Sequence, residues 1–576
     1  MTVRLRFMRS PSRLVSGWSA PARDSDGTAR FGGRVAWLAG VFTLFLILAV
    51  CVQVKSGALN RDSEAAHYPD EPAHVVTSLL VHDYVAAFFP GPPLSFAETY
   101  YLHYPKVAFG MWPPVFHIFA ALWMLIFGAS KNALLLFVAF EGALLATALF
   151  GLARSLIHPL AAAGLGVLLL LNPLAQYCMT LVMLDTQVAL LDLLTVLALT
   201  RFFRTRRTRD GVFFGALTVV AMLTKGNACA LVLMPPILIL IRRDWRVLRS
   251  AGLYIAAGII LMLGVPWQLL SWKLLTASVP IAHFGAAYMF RNLTVYSHDL
   301  LANVGVPVLL VSAAGFAISL KRAAGPSDAS DGALAMAAAC TLFLAVMLFQ
   351  CIAPVPVDQR YMLPVIAPIL FFFAAGVSAA GSLIPVPGGI AGWLLATSCV
   401  ALFLTRTFSI PSRPPLGYSH AADLIRGVEP SGGVSLICSD SDGEGALVEE
   451  IALGDRRPDR FVLRGSKVLS ENEWDVTVYR PFFSSPDALA AYLDSVPVDT
   501  VLVDRSEPMW KADRDLLLSV MWAAPDKWKL VADIPHSRAS RHLLLFSRAQ
   551  GHPKGAGSPN IHLNMKFTLG RKLSLH

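Results

Sequence analysis

Two adjacent carboxylates, Asp70 and Glu71, follow Pro69 in a polar stretch from Tyr68 to Pro114 that interrupts a very apolar chain. His67, His74, His82 and His103 lie in or beside it, with Lys106 and then Trp112-Pro113-Pro114 at its end. Further along, single ionisable residues stand at the edges of apolar runs: Asp185, Lys225, Arg360 beside Tyr361, and Arg291 in a polar segment. A carboxylate can take the proton of an attacking hydroxyl. A guanidinium or ammonium can hold a departing phosphate, the guanidinium through two parallel donors. The set therefore suits a displacement in which a hydroxyl attacks and a phosphate leaves. If Asp70 and Asp185 acted through a divalent cation, their hard oxygens would favour Mg²⁺ or Mn²⁺ over zinc. Each residue also has a plainer reading: Asp70 as an exposed loop acid, Lys225 as a snorkelling lysine, Arg360 as an interfacial anchor, Arg291 as a solvated charge. The histidines His283 and His298, and Asp192 and Glu141 inside apolar runs, read more simply as packing residues. Trp112, Trp267 and Trp272 fit an interfacial aromatic belt.

The elements that must position these groups follow from composition. With 55% hydrophobic and 15% charged residues, the chain exceeds the apolar content of soluble domains. Its repeated apolar runs are long enough to cross a hydrocarbon layer of about 30 Å. The net charge of +10 is spread over clusters at the ends of those runs, which orients helices and speaks against a nucleic-acid partner. The 7 cysteines are scattered singly, so neither a zinc site nor a disulfide framework is encoded.

Residues 1–34 form a basic segment with Arg4, Arg6, Arg9 and Arg13, expected to be cytoplasmic and followed by an uncleaved anchor from Val35 to Val54. The first outer loop is then residues 53–114. Val115–Phe127 is short enough to be a partial span. The chain crosses from Asn132 to Ala153, from Leu160 to Tyr177, and from Asp185 to the cytoplasmic cluster Arg201–Arg209. A hairpin of two short helices follows with its apex at Thr224-Lys225-Gly226, then Tyr254–Leu270 and an outer loop to about Asp299. Leu300–Leu320, Ala333–Ile352, Pro364–Ala380 and Ile390–Leu404 complete about eleven spans plus the partial helix. This parity puts Asp70, Glu71, Lys106, Asp185, Lys225, Arg291 and Arg360 on one side. An ionisable residue in an apolar segment costs about 2.5–3.5 kcal/mol on insertion scales, which makes such residues functional candidates.

Beyond Arg406 the apolar runs shrink to strand length and alternate with helical pieces, so residues 412–548 read as a small α/β domain outside the membrane. The turn Ser439-Asp440-Ser441-Asp442-Gly443-Glu444-Gly445 stands where α/β sheets bind ligands, although its acids disfavour phosphate. Residues 549–576 have the composition of a disordered tail.

Together, the Asp-Glu pair in the first outer loop, the Pro-Pro opening the next helix, Asp185 entering a later span, Thr224-Lys225-Gly226 and Arg360-Tyr361-x-x-Pro364 resemble the GT-C superfamily of integral-membrane glycosyltransferases. The similarity covers roughly residues 35–405. It is nearest to the protein O-mannosyltransferase-like and lipid A aminoarabinose transferase-like branches. The resemblance implies a GT-C-like helical fold and transfer of a sugar from a polyprenyl-phosphate donor to a lipid, glycan or protein acceptor, with inversion, at the outer face of a cell (inner) membrane. It implies Asp70, Glu71 and Asp185 as the acidic residues. Lys106, Lys225, Arg291, Arg360 and Tyr361 are the candidates to bind the donor phosphate. The aminoarabinose branch has a lysine directly before Pro-Pro, where this chain has Trp112; Lys106 is the nearest replacement. The competing class is a non-enzymatic flippase or transporter of lipid-linked sugars, which would place its polar residues near mid-membrane.

Overall fold

The computed structural model describes residues 27–60, 64, 67–108, 110–276, 285–325, 331–354, 356–383, 390–407, 412–429, 431–472, 479–505, 511–536 and 541–549, with two residue pairs beyond. The basic segment 1–26, His283 and most of the tail lie outside the described residues.

The chain begins with α1 (Gly27–Ser56). The expected first loop is not loop-like, because it folds into α2 (Glu71–Ala86) and α3 (Pro93–His103). Then come α4 (Val115–Phe127), α5 (Lys131–Ala153), α6 (Pro159–Leu170), α7 (Pro173–Met179), α8 (Asp185–Thr205), α9 (Thr208–Met222), α10 (Met234–Arg242), α11 (Ala251–Ile259) and α12 (Val265–Thr276). The helical part closes with α13 (Ala286–Val304), α14 (Val306–Ala323), α15 (Asp331–Ile352), α16 (Leu363–Leu383) and α17 (Ile390–Thr407). Among the described residues, 7 helices are long and apolar enough to cross a membrane, or 8 if α6 and α7, bent by 64°, count as one. The remaining expected crossings fall on shorter helices, the hairpin around Lys225 and α17.

Helix α8 packs against α5, α9, α15 and α16, and it is buried along most of its length. By contrast α11, α12 and the π-helical turn Ile260–Gly264 that joins them present Tyr254, Leu261, Met262, Leu263 and Leu269 outward, as helices facing lipid do. The expected outer loop before Asp299 is largely helix α13, which buries Asn292, Tyr296, Leu300 and Val304 at four-residue spacing.

The C-terminal part is α18 (Tyr418–Val428), β1 (Val434–Cys438), α19 (Ser441–Gly454), β2 (Phe461–Arg464), α20 (Gly465–Val468), β3 (Ser470–Asn472), β4 (Tyr479–Pro481), α21 (Pro486–Ser495), β5 (Thr500–Asp504), α22 (Lys511–Ala523), β6 (Trp528–His536) and β7 (Arg541–Arg548). Five strands form one sheet in the order β2-β1-β5-β7-β6. Strand β1 runs parallel to β2 and β5, and β7 antiparallel to β5 and β6. Strands β1 and β5 are buried along their whole length, which matches their continuous apolar runs.

This α/β domain shares a core with the first loop. Tyr100 and Tyr104 of the α3 region belong to the same buried cluster as Leu447, Val501 and Phe546. Polar ties reinforce it: the Glu64 carboxylate accepts hydrogen bonds from the backbone N–H groups of Leu416 (2.7 Å), Gly417 and Ser419 (2.9 Å each), capping the start of α18. Arg457 pairs with Asp83 at 2.8 Å, and the Tyr104 hydroxyl donates to Asp455 at 3.0 Å.

Candidate functional site

Asp185 is the first residue of α8, where the unpaired N–H groups of the opening turn favour a carboxylate. The loop leading to it is bolted in place. Gln53 of α1 donates to Met179 O at 2.8 Å and to Leu135 O at 2.6 Å, and the N–H of Val182 donates to Glu71 Oε1 at 2.9 Å. Lys225 is fixed by the end of α9, whose Leu223 carbonyl accepts from Val115 N at 2.9 Å. Arg360 lies in a 3-10 turn, Gln359–Met362, that Asp358 caps by accepting from Arg360 N at 2.9 Å.

These three side chains meet. Lys225 Nζ donates to Asp185 Oδ1 at 2.6 Å, and Arg360 Nη1 to Asp185 Oδ2 at 3.3 Å. Their exposures are only 4% for Asp185, 8% for Lys225 and 3% for Arg360. The rest of the guanidinium is also engaged, with Asp358 Oδ2 at 2.9 Å and the Tyr68 hydroxyl at 2.5 Å. That hydroxyl in turn donates to Asp358 at 2.8 Å. The Tyr68 ring faces the guanidinium carbon at 3.9 Å, and Lys225 lies 4.7 Å from the centre of the Tyr361 ring. Burial alone would raise the proton affinity of Asp358, but the hydrogen bond and charge of Arg360 outweigh it and hold the carboxyl below its usual range.

Asp70 stands apart from this clasp. It occupies the N-cap position of α2, ahead of Pro72, yet its carboxylate makes no capping bond, and among the described residues it has no hydrogen-bond or ion-pair partner. Burial raises its proton affinity, against the pull of Arg360, Lys106 and Lys225 and with a push from Asp185. Half-buried, unpaired and facing those cations, it is free to accept a proton. Glu71 is placed differently. It is fully buried, holds Val182 N with one oxygen and pairs with Arg413 at 3.4 Å with the other, so it ties the α7–α8 loop to the start of the α/β domain.

Lys106 does not enter the clasp. Its ammonium lies against Gly445 of α19, where a Cβ would stand 3.1 Å from Nζ. Arg291 is exposed on α13 and makes no hydrogen bond or ion pair among the described residues. His74, one turn beyond Asp70, is buried with its ring 4.5 Å from Trp112 and 5.5 Å from His117. Burial, then His117 and the three cations, push its proton affinity well below the usual value, so the ring is neutral. A divalent cation on Asp70 and Asp185 would have to displace the cations that now face them. Both oxygens of Asp185 are on cations, Asp70 faces the same cations, and no group of three His, Cys, Asp or Glu gathers among the described residues.

Sequence reasoning missed Tyr68, Asp358 and Arg413 as partners. A loop tyrosine and a linker arginine carry no local signal.

Comparison with known proteins follows the same lines. A family profile described as dolichyl-phosphate-mannose-protein mannosyltransferase matches residues 112–272, the segment that holds Asp185 and Lys225. No curated protein matches the chain. Among solved structures, ArnT from Cupriavidus metallidurans bound to undecaprenyl phosphate is similar with a TM-score of 0.56 at 17% identity, over 88% of this chain and 98% of that one. The archaeal oligosaccharyltransferase AglB from Archaeoglobus fulgidus, in complex with an inhibitory peptide and a dolichol-phosphate, gives 0.51 at 12% identity, over 82% and 70%. The matched segment holds the Asp185–Lys225 half of the clasp, and the fold of this chain is shared with these two structures over most of its length.

Proposed function

We propose that this protein transfers a sugar from a polyprenyl-phosphate donor to a hydroxyl-bearing lipid, glycan or protein acceptor at the outer face of the cell membrane, with inversion at the anomeric carbon. The observation that carries the reading is the clasp. A single carboxylate, Asp185, holds Lys225 and Arg360 together in a nearly dry site, with an unpaired carboxylate, Asp70, facing them. The matched family and the lipid phosphates bound by ArnT and AglB support a polyprenyl-phosphate donor.

In this mechanism the donor phosphate lies on Lys225 and Arg360. Asp70 takes the proton of the acceptor hydroxyl as its oxygen attacks the anomeric carbon from the opposite side. The carbon–oxygen bond to phosphate breaks with its electron pair on the leaving oxygen, where the two cations stabilise the growing charge. Tyr68 and Asp358 keep the guanidinium in orientation. The cluster's position at one end of the helices, on the side assigned to the exterior by the basic clusters, favours an enzyme over a transport pathway.

The test is turnover. Purified protein in lipid nanodiscs, supplied with a panel of short-chain polyprenyl-phosphate sugars and envelope extract, should release polyprenyl phosphate and label an acceptor. Movement of the donor across vesicles with no release of phosphate would instead identify a flippase.

A further inference from the structure

The turn between β1 and α19 is a sequence motif with no role assigned so far, and Lys106 is a site candidate that lies away from the clasp. They meet. Gly445 sits in the first half of α19, and a side chain there would stand 3.0 Å from Lys106 Cε, 3.1 Å from Nζ and 3.2 Å from Pro72 Cγ. The missing side chain is the space the lysine occupies. The α/β domain grips the backbone next to it as well. Arg464 donates to Pro105 O at 3.4 Å, Tyr104 is bonded to Asp455, and the His103 ring stacks on Phe461 at 4.0 Å.

The charges around the ammonium come from both parts of the protein. Arg464 opposes it, while Asp70, Asp442 and Glu444 favour it, and burial, the largest influence, pushes its proton affinity down to about 8. Glu444 is already committed to Arg464 at 2.9 Å and Ser466 N at 2.8 Å. Among the described residues the Lys106 ammonium has no hydrogen-bond or ion-pair partner, and neither has the Asp70 carboxylate that faces it. Asp70 is also faced by Arg360, Lys225 and Asp185, and it lies near the Tyr68 and Tyr361 hydroxyls.

We infer that the α/β domain is a working part of the transfer site: through Gly445 it seats Lys106 beside Asp70, and Lys106 is a positioning residue that keeps Asp70 ionised and aimed at the acceptor hydroxyl. This rests on the reading of Asp70 as the base. It assigns Lys106 to the acceptor side of the reaction and leaves the donor phosphate to Lys225 and Arg360.

The experiment is a double-mutant cycle on the full-length protein, with kcat, donor KM and the pH profile of kcat/KM measured for Lys106→Met, Gly445→Leu, the pair, and Gly445→Ala. Because a nearby opposite charge lowers a carboxylate pKa by about 1 to 3 units, Lys106→Met should move the acid limb of the profile upward by roughly one unit or more. It should also lower kcat about tenfold while donor KM stays put. Gly445→Leu should reproduce both effects, and the pair should be no worse than either single change. Gly445→Ala should stay closer to wild type than Gly445→Leu, since its methyl meets the flexible end of the lysine at 3.0 Å and Pro72 Cγ at 3.2 Å, contacts that a shift of a few tenths of an ångström relieves. An unmoved acid limb in Lys106→Met, a raised donor KM, or full additivity of the pair would overturn the inference. The Lys106→Met profile decides it even if Gly445→Leu fails to fold. Asp70→Asn in the same assay separates the two claims. Activity in Asp70→Asn would remove the base itself, whereas an inactive Asp70→Asn with an additive cycle would remove only the role of the domain.

Discussion

Asp185 holds Lys225 with one carboxylate oxygen at 2.6 Å and faces Arg360 with the other at 3.3 Å, so one negative charge keeps two buried cations side by side. A phosphate arriving there finds two positive groups already positioned and brings the charge needed to satisfy both. Since misplacement by about 1 Å can cost on the order of 100-fold in rate, Asp185→Asn should lower kcat by that order. Removing one member of a buried ion pair should also cost about 3–5 kcal/mol of stability. Steady-state kinetics and thermal unfolding of purified protein check both; an active, equally stable variant would take the clasp out of the mechanism.

Arg360→Lys should reduce transfer by roughly one to two powers of ten, because a charge-assisted hydrogen bond is worth about 1.5–3 kcal/mol and lysine cannot serve Asp358, Tyr68 and Asp185 at once. Arg360→Ala should be worse, with the loss in kcat as well as KM, because charge on the phosphate grows as the sugar leaves. Equal kinetics for wild type, Lys and Ala would reduce Arg360 to an anchor.

Asp70→Asn should abolish transfer while the protein still inserts and folds. In the wild type, burial raises the proton affinity of Asp70 above that of an ordinary aspartate. The base is the ionised form, so activity should fall as pH drops through that raised value, and the acid limb should lie above pH 4, the region of an unperturbed aspartate pKa of about 3.9. A profile flat down to pH 4 would argue that a different group takes the proton.

Glu71→Gln should behave quite differently from Asp70→Asn. Glutamine keeps an oxygen for Val182 N but leaves the buried Arg413 without its charge partner. Stability should drop by about 3–5 kcal/mol while kcat changes only a few-fold. Loss of turnover in a variant with an unchanged melting temperature would return Glu71 to the catalytic set.

The contrast between these neighbours shows what the chain does and does not disclose. Asp185, Lys225 and Arg360 were legible as ionisable groups at the ends of apolar runs, because burying a charge is costly enough to demand a reason. Which of them pair was not legible, since Asp185 and Arg360 are 175 positions apart and only the packing of α8 against α16 brings them together. Arg291 was read as a loop residue because the stretch up to about Asp299 was taken as loop and a span was begun only at Leu300, although Asn292, Tyr296, Leu300 and Val304 already showed the four-residue period that turns this arginine outward. The start of α2 was readable too, from an aspartate followed by Pro72 in the first turn. It was hidden by the histidines and prolines around it, which read as loop. Glu71 gave no signal of its structural task, because its main partner is a backbone N–H, which every residue but proline possesses.

Glu64 meets Leu416, Gly417 and Ser419 across about 350 positions of sequence, the Glu64–Leu416 bond spanning 352. A ribosome therefore finishes the clasp helices well before the residues that cap, clamp and seat the first loop exist. Until the stretch from Arg413 to Gly445 is made, Glu64 lacks its donors, Glu71 lacks Arg413, and Lys106 has no glycine to lie against. The proposed transfer site is thus completed by residues synthesised after the clasp, and a chain cut short before them would carry the cations of the clasp without the seat for Lys106 beside Asp70.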